Sequence, residues 1–165
     1  MGLIEALAVV IGIMGGLATG VYLQIGSIYL VIWVTFVAWA SFYAAGGGNA
    51  GFAKSTAANI WGAVIATISL WIFGKLAGNG MNVPLAAALC VGVAIVVLIM
   101  GAKVDALGFI PGQVFGYAPT AGLFVTGFAA ANGTGKMLAA AIISLVLGNV
   151  LGIISEKAAG AVAKS

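Results

Sequence analysis

Of 165 residues, 64% are hydrophobic and 5% are charged, and the net charge is +3. A soluble domain carries about 25% charged residues, so a water-facing surface is excluded and lipid is the expected solvent. Six lysines, Glu5, Glu156 and Asp105 are the whole charged set, with no basic cluster to hold nucleic acid. The chain has no histidine, and its one cysteine, Cys90, permits no intrachain disulfide and no Cys-based zinc site.

In chain order, six apolar runs approach the roughly 20 residues that a membrane helix needs. Residues 3–23 carry Glu5 where a signal peptide would carry Lys or Arg, so they read as a first span. Residues 28–45 form the second and run into the glycine-rich GGGNAGFAKS. The third, 57–76, ends at GNGMNVP, whose Asn-Gly suits a turn and whose Pro84 suits the opening of the fourth, 84–102. Residues 104–130 are too many for one straight span and too few for two. The sixth is 136–154, and 157–165 is a short polar tail expected to fray.

The expected fold is a single all-α integral membrane domain of about six transmembrane helices. Two patterns divide it. Ala66-Thr67-Ile68-Ser69-Leu70 resembles Ala141-Ile142-Ile143-Ser144-Leu145, and Gly51-Phe52 and Gly127-Phe128 precede them at a nearly equal offset. Each half has a plain helix, an interrupted one, then a helix with the ISL triplet. Residues 1–80 and 81–156 are therefore read as three-helix repeats, with the second and fifth spans broken. A shift of three spans reverses direction through the bilayer, which makes the repeats inverted. Six spans put both termini on one side with Lys54, Lys103, Lys157 and Lys164, against Lys75 and Lys136 on the other. The positive-inside rule then favours cytoplasmic termini.

The interruptions are the candidate site. In hydrocarbon, every backbone polar group needs an internal partner. Pro111 and Pro119 each delete a donor, and Gly46, Gly47 and Gly48 are expected to free backbone groups in the first half. Freed backbone groups at such breaks face the solute in transporters. Ser41, Tyr43, Asn49, Gln113, Tyr117 and Thr120 lie nearby, with Phe42, Phe109, Phe115 and Phe124. An aromatic constriction with amides and hydroxyls suits a small neutral or weakly polar solute better than a free ion. The alternative is packing. Gly108, Gly112 and Gly116 make one flat helical face, as do Gly12, Gly16 and Gly20, and Gly148 with Gly152.

No cluster of His, Asp or Glu offers a metal site or an acid–base pair, so no enzyme, catalytic residue or cofactor is expected. GTGK, Gly133 to Lys136, lacks the context of a phosphate loop and reads as a turn. With no histidine and no clearly buried carboxylate, a side-chain proton relay is missing, which favours passive conduction.

The stretches WASFYAAGGGNAG, FIPGQVFGYAPTAG and LGNVLGIISEKAAG resemble the YcdZ-like bacterial inner-membrane proteins, a domain-of-unknown-function family. The resemblance covers nearly the whole chain and implies the bacterial inner membrane, but brings no substrate or site residues. The three-plus-three layout is also similar in architecture to the formate/nitrite channels, the acetate/succinate transporters and the aquaporins. The chain lacks their NPA triplet or central histidine and is shorter. The functional expectation is a homo-oligomeric channel or transporter for a small neutral or weak-acid solute, with a pore in each protomer. The alternative is a non-conducting structural or regulatory subunit assembling through its glycine faces.

Overall fold

The computed structural model describes residues 2–163; Lys164 lies outside them. Among the described residues the regular structure is helical: α1 (Leu3–Ile25), α2 (Ile32–Ala44), α3 (Gly48–Gly78), α4 (Val83–Met100), α5 (Ile110–Val125), α6 (Phe128–Asn132) and α7 (Thr134–Val162). Two short 3-10 turns, Gly101–Lys103 and Asp105–Leu107, join α4 to α5. Four helical segments are long and apolar enough to cross a membrane: Leu3–Ile25, Gly48–Gly78, Val83–Lys103 and Thr134–Val162.

Local chemistry sets the ends. Gly46, Gly47 and Gly48 all have positive φ, at 94°, 68° and 62°, a run that only glycine adopts without strain. They turn the chain sharply from α2 into α3. Asn82 caps α4 by accepting from the Leu85 N–H at 3.2 Å, and Pro84 sits in the first turn, where its missing donor is not needed.

The proline-rich segment departs from expectation. Neither Pro111 nor Pro119 breaks a helix. Pro111 lies in the first turn of α5, and α5 continues through Pro119 to Val125. Pro119 removes one rung of the ladder, while Thr120 Oγ1 donates to the Gly116 carbonyl at 2.8 Å in the same turn. The irregular backbone lies on either side, in the 3-10 turns and around Gly127 and Gly133. The C-terminal segment departs too: α7 runs to Val162, with Ser155 and Ala159 buried, so it is helix rather than frayed tail.

With 13 and 16 residues, α2 and α5 are about 20 and 24 Å long, short of the roughly 30 Å hydrocarbon core. The long helices α3 and α7 pack on each other at the centre. The short helix α2 lies on α7, and α5 lies on α3; α1 flanks α7, and α4 flanks α3.

The two short-on-long crossings are built alike. A Cβ on Gly62 of α3 would stand 2.0 Å from the Gln113 carbonyl oxygen and 2.7 Å from the Tyr117 nitrogen. A Cβ on Gly148 of α7 would stand 2.2 Å from the Thr35 oxygen and 2.9 Å from the Trp39 nitrogen. Glycine here lets backbones touch. Gln113 and Tyr117 follow Thr35 and Trp39 by 78 positions, and Gly148 follows Gly62 by 86. The starts of α5 and α7 follow those of α2 and α3 by the same intervals.

The serines of the two ISL triplets make different contacts. Ser69 meets the Tyr117 hydroxyl at 3.1 Å. Ser144 instead accepts from the Val31 N–H at 2.9 Å, securing extended backbone ahead of α2. The residue that matches Ser69 is Ser155, 86 positions on, whose Oγ accepts from Trp39 Nε1 at 2.9 Å. Each of the two serines also donates to the carbonyl three residues back, Ala66 and Gly152.

Candidate functional site

A buried polar layer lies where α3 and α7 cross. Ser41 on α2, Ser55 and Asn59 on α3, Asn149 on α7 and Gln113 on α5 are all fully buried. Their surroundings orient the Asn59 amide. Its nitrogen faces Ser41 Oγ at 3.0 Å, the Gly112 carbonyl at 2.8 Å and the Ser55 carbonyl at 3.2 Å, and its oxygen accepts from Asn149 Nδ2 at 3.1 Å. Asn149 Nδ2 also donates to the Leu145 carbonyl at 3.0 Å, and Ser55 Oγ donates to Ser41 Oγ at 2.7 Å. One amide therefore ties together four helices.

Two acceptors in this region have no protein partner among the described residues: Asn149 Oδ1 and Gln113 Oε1. Gln113 Nε2 donates to the Leu107 carbonyl at 2.8 Å, which holds the 3-10 turn against α5. Leaving a buried acceptor dry costs about 1–3 kcal/mol, so such groups mark places where another molecule can be held.

The Glu156 carboxylate lies on the same side of the crossing as Ser55 and Ser41. Its Oε2 accepts from the Gly48 N–H at 2.8 Å at the N-terminus of α3, where the helix dipole favours a negative charge. No group of three His, Cys, Asp or Glu side chains gathers among the described residues.

The structure disperses several residues expected at the site. Ser41, Gln113, Tyr117 and Thr120 are buried in the bundle, whereas Asn49 is exposed near the start of α3. Phe42 lies over Gly152, Phe109 lies over Gly112, and Phe124 meets Phe73 edge-on at 6.0 Å. Phe115 is half-buried. Tyr43 donates to or accepts from Ser155 at 2.8 Å. Gly112 and Gly116 press on Ala58 and Asn59 of α3, so they face a helix. Gly148 lies against the Thr35 and Trp39 backbone and Gly152 against the Phe42 ring. Gly12, Gly16 and Gly20 are exposed with no atom within 4 Å of an added Cβ; on α1 it is Gly15 that packs, against the Phe36 ring at 3.3 Å.

Asn59, Asn149, Ser55 and Ser155 are central residues that the sequence analysis left out. A signal existed: Asn59-Ile60-Trp61-Gly62 and Asn149-Val150-Leu151-Gly152 place a lone amide three residues before a glycine inside apolar helices.

The fold and its polar centre define an all-helical protein whose apolar helices suit a lipid bilayer. The chain belongs to the family described as "Protein of unknown function (DUF1097)", which it matches over residues 8–160. It is 32% identical over 124 residues to "Uncharacterized protein YahC" of Escherichia coli (strain K12), covering 74% of this chain and 68% of that protein. No solved structure gives a significant match.

Proposed function

We propose that the protein is a six-span bacterial inner-membrane channel or transporter that passes a small neutral or weak-acid solute through each protomer, past the Asn59–Asn149 pair. The observation that carries this reading is the pair itself. Two fully buried amides meet at 3.1 Å inside a chain with 64% hydrophobic residues. Polar side chains inside a membrane are costly and usually mark a pathway. The absence of charge in this layer suits a neutral solute.

The reading includes two inverted three-helix halves, α1–α3 and α4–α7, in which the short helices α2 and α5 cross the bilayer together with irregular backbone. The matched glycine crossings, the matched Ser69–Tyr117 and Ser155–Trp39 bonds and the constant intervals of 78 and 86 positions support it. Short helices paired across a midplane site are a transporter device. Inner-membrane location, cytoplasmic termini and the YcdZ-like grouping go with this proposal, as does a homo-oligomer. The exposed face of Gly12, Gly16 and Gly20 on α1 favours the oligomer.

The test is the flux of a panel of small solutes into proteoliposomes. The protein should raise the flux of at least one above that of empty vesicles, and Asn149→Leu should remove the gain. A panel that is identical with and without the protein contradicts the reading, and favours a structural subunit.

A further inference from the structure

The polar layer has a matched apolar layer, and the match is residue by residue. The intervals of 78 positions between α2 and α5 and of 86 between α3 and α7 assign each polar group a counterpart. Ser41 corresponds to Pro119, Ser55 to Ala141, Asn59 to Leu145, Asn149 to Ala63, and the Gly112 carbonyl to the position of Val34. Val34, Ala63, Ala141 and Leu145 all belong to one fully buried apolar cluster, completed by Ala38, Leu123 and Met137. The layers are stacked. On α3, Ala63 lies one turn after Asn59; on α7, Leu145 lies one turn before Asn149. On α2, Ala38 and Val34 precede Ser41.

The centre is therefore one-sided. Half of it carries amides and hydroxyls and adjoins Glu156 and the glycine turn. The other half has lost the polar side chain at the positions matching Ser41, Ser55, Asn59 and Asn149, and keeps one, Thr35, at the position matching Gln113. A hydrated solute meets hydrogen-bonding partners on one side and a dewetted constriction on the other, where an apolar neck resists water.

We infer that the polar layer is a one-sided binding station for a neutral solute that donates N–H or O–H groups. The apolar layer of Val34, Ala63, Met137 and Leu145 is the closed gate in front of it. The solute class follows from what the station has to spare. Both hydrogens of Asn149 Nδ2 are committed, to Leu145 and to Asn59, while Asn149 Oδ1 is free to accept. Gln113 Oε1 on α5, next in the chain to Gly112, is a second buried acceptor without a protein partner among the described residues. No acidic side chain stands in the layer to neutralise a cation. This inference rests on the conduction proposed above, and it adds the side of binding, the solute class and the barrier.

The experiment uses the full chain in proteoliposomes, with urea as the donor solute and tetramethylurea as a probe that accepts but cannot donate. Leu145→Ala and Met137→Ala, about two turns apart on α7, each widen the neck; Leu145→Met keeps its volume. Each variant is first checked for a single symmetrical peak in size-exclusion chromatography. The expected result is protein-dependent urea flux that rises several-fold in both alanine variants and stays near the parent in Leu145→Met, with no such gain for tetramethylurea. A silent parent with conducting alanine variants supports the gate while overturning conduction by the resting protein. A conducting parent whose flux neither alanine variant alters overturns the gate alone. Equal protein-dependent passage of tetramethylurea overturns the solute class, and no flux in any protein overturns both the gate and the function it rests on.

Discussion

Asn59 Oδ1 accepts from Asn149 Nδ2 at 3.1 Å, and this bond joins two antiparallel helices from opposite halves of the chain at their crossing. It is also the point where the network is most interdependent, because the Asn59 nitrogen serves the Gly112 carbonyl of a third helix and Ser41 of a fourth. Asn59→Ala removes the partner of all of them. The expected loss is about 1–3 kcal/mol, read as a lower unfolding midpoint in a detergent denaturation series. Asn149→Ala should lose less, because Asn149 Oδ1 already has no protein partner. An Asn59→Ala variant as stable as the parent would show that the network does not hold the crossing.

The matched glycines make a paired prediction. An added Cβ at Gly62 or Gly148 would stand 2.0 or 2.2 Å from a backbone oxygen. Backbone cannot move aside as a flexible side chain can, so Gly62→Ala and Gly148→Ala should each cost about 1–3 kcal/mol or more from overpacking. Gly16→Ala on the open face of α1 is the control and should leave the midpoint unchanged. Denaturation curves of the three variants in one detergent decide the matter.

The serine contacts of the two halves should also behave as a pair. Trp39 Nε1 donates to Ser155 Oγ at 2.9 Å, and Tyr117 shares a bond with Ser69 at 3.1 Å. Double-mutant cycles, Trp39→Phe with Ser155→Ala and Tyr117→Phe with Ser69→Ala, should each return a coupling of about 0.6–2 kcal/mol, the range for hydrogen bonds between membrane helices. Ser155→Ala also removes the Tyr43 contact at 2.8 Å, a loss common to both Trp39 backgrounds that cancels in the cycle.

Glu156 stabilises the start of α3 through the Gly48 N–H. Glu156→Gln keeps an acceptor and loses the charge, so it should cost less than Glu156→Leu, with the charge itself contributing about 0.3–2 kcal/mol at a helix N-terminus. Faster hydrogen exchange confined to the first turn of α3 in Glu156→Leu would confirm the cap. Uniform exchange across the helix would contradict it.

The exposed glycines of α1 make the last structural prediction. A Cβ added at Gly12 or Gly16 has no atom within 4 Å, so Gly12→Leu and Gly16→Leu should fold normally but lower the oligomeric mass in native mass spectrometry. Unchanged mass would remove α1 from the subunit interface.

Much of the coarse fold was legible because composition and span length are governed by the bilayer alone. A turn at Asn79–Gly80 separates α3 from α4, where GNGMNVP reads as a turn. The effect of the prolines was not legible. A proline's cost depends on where a helix starts, and Pro111 is harmless because α5 begins beside it. The spacing that matches the two short-on-long crossings was not legible for a similar reason. The ISL serines are buried but make different contacts, Ser69 with Tyr117 and Ser144 with Val31, whereas the matched crossings are set by backbone contact at Gly62 and Gly148. Those contacts involve carbonyls and amides of Thr35, Trp39, Gln113 and Tyr117, whose side chains carry no shared pattern. Asn59 and Asn149 escaped notice because each is a single amide in an apolar run, far from the conspicuous glycine and proline breaks.

The most direct test of the account is stopped-flow urea flux into proteoliposomes, measured for the parent and for Asn59→Leu at matched protein density. The account predicts flux above empty vesicles for the parent and its loss in a folded Asn59→Leu. Parent vesicles no faster than empty ones, or a folded Asn59→Leu that conducts as the parent does, would contradict it.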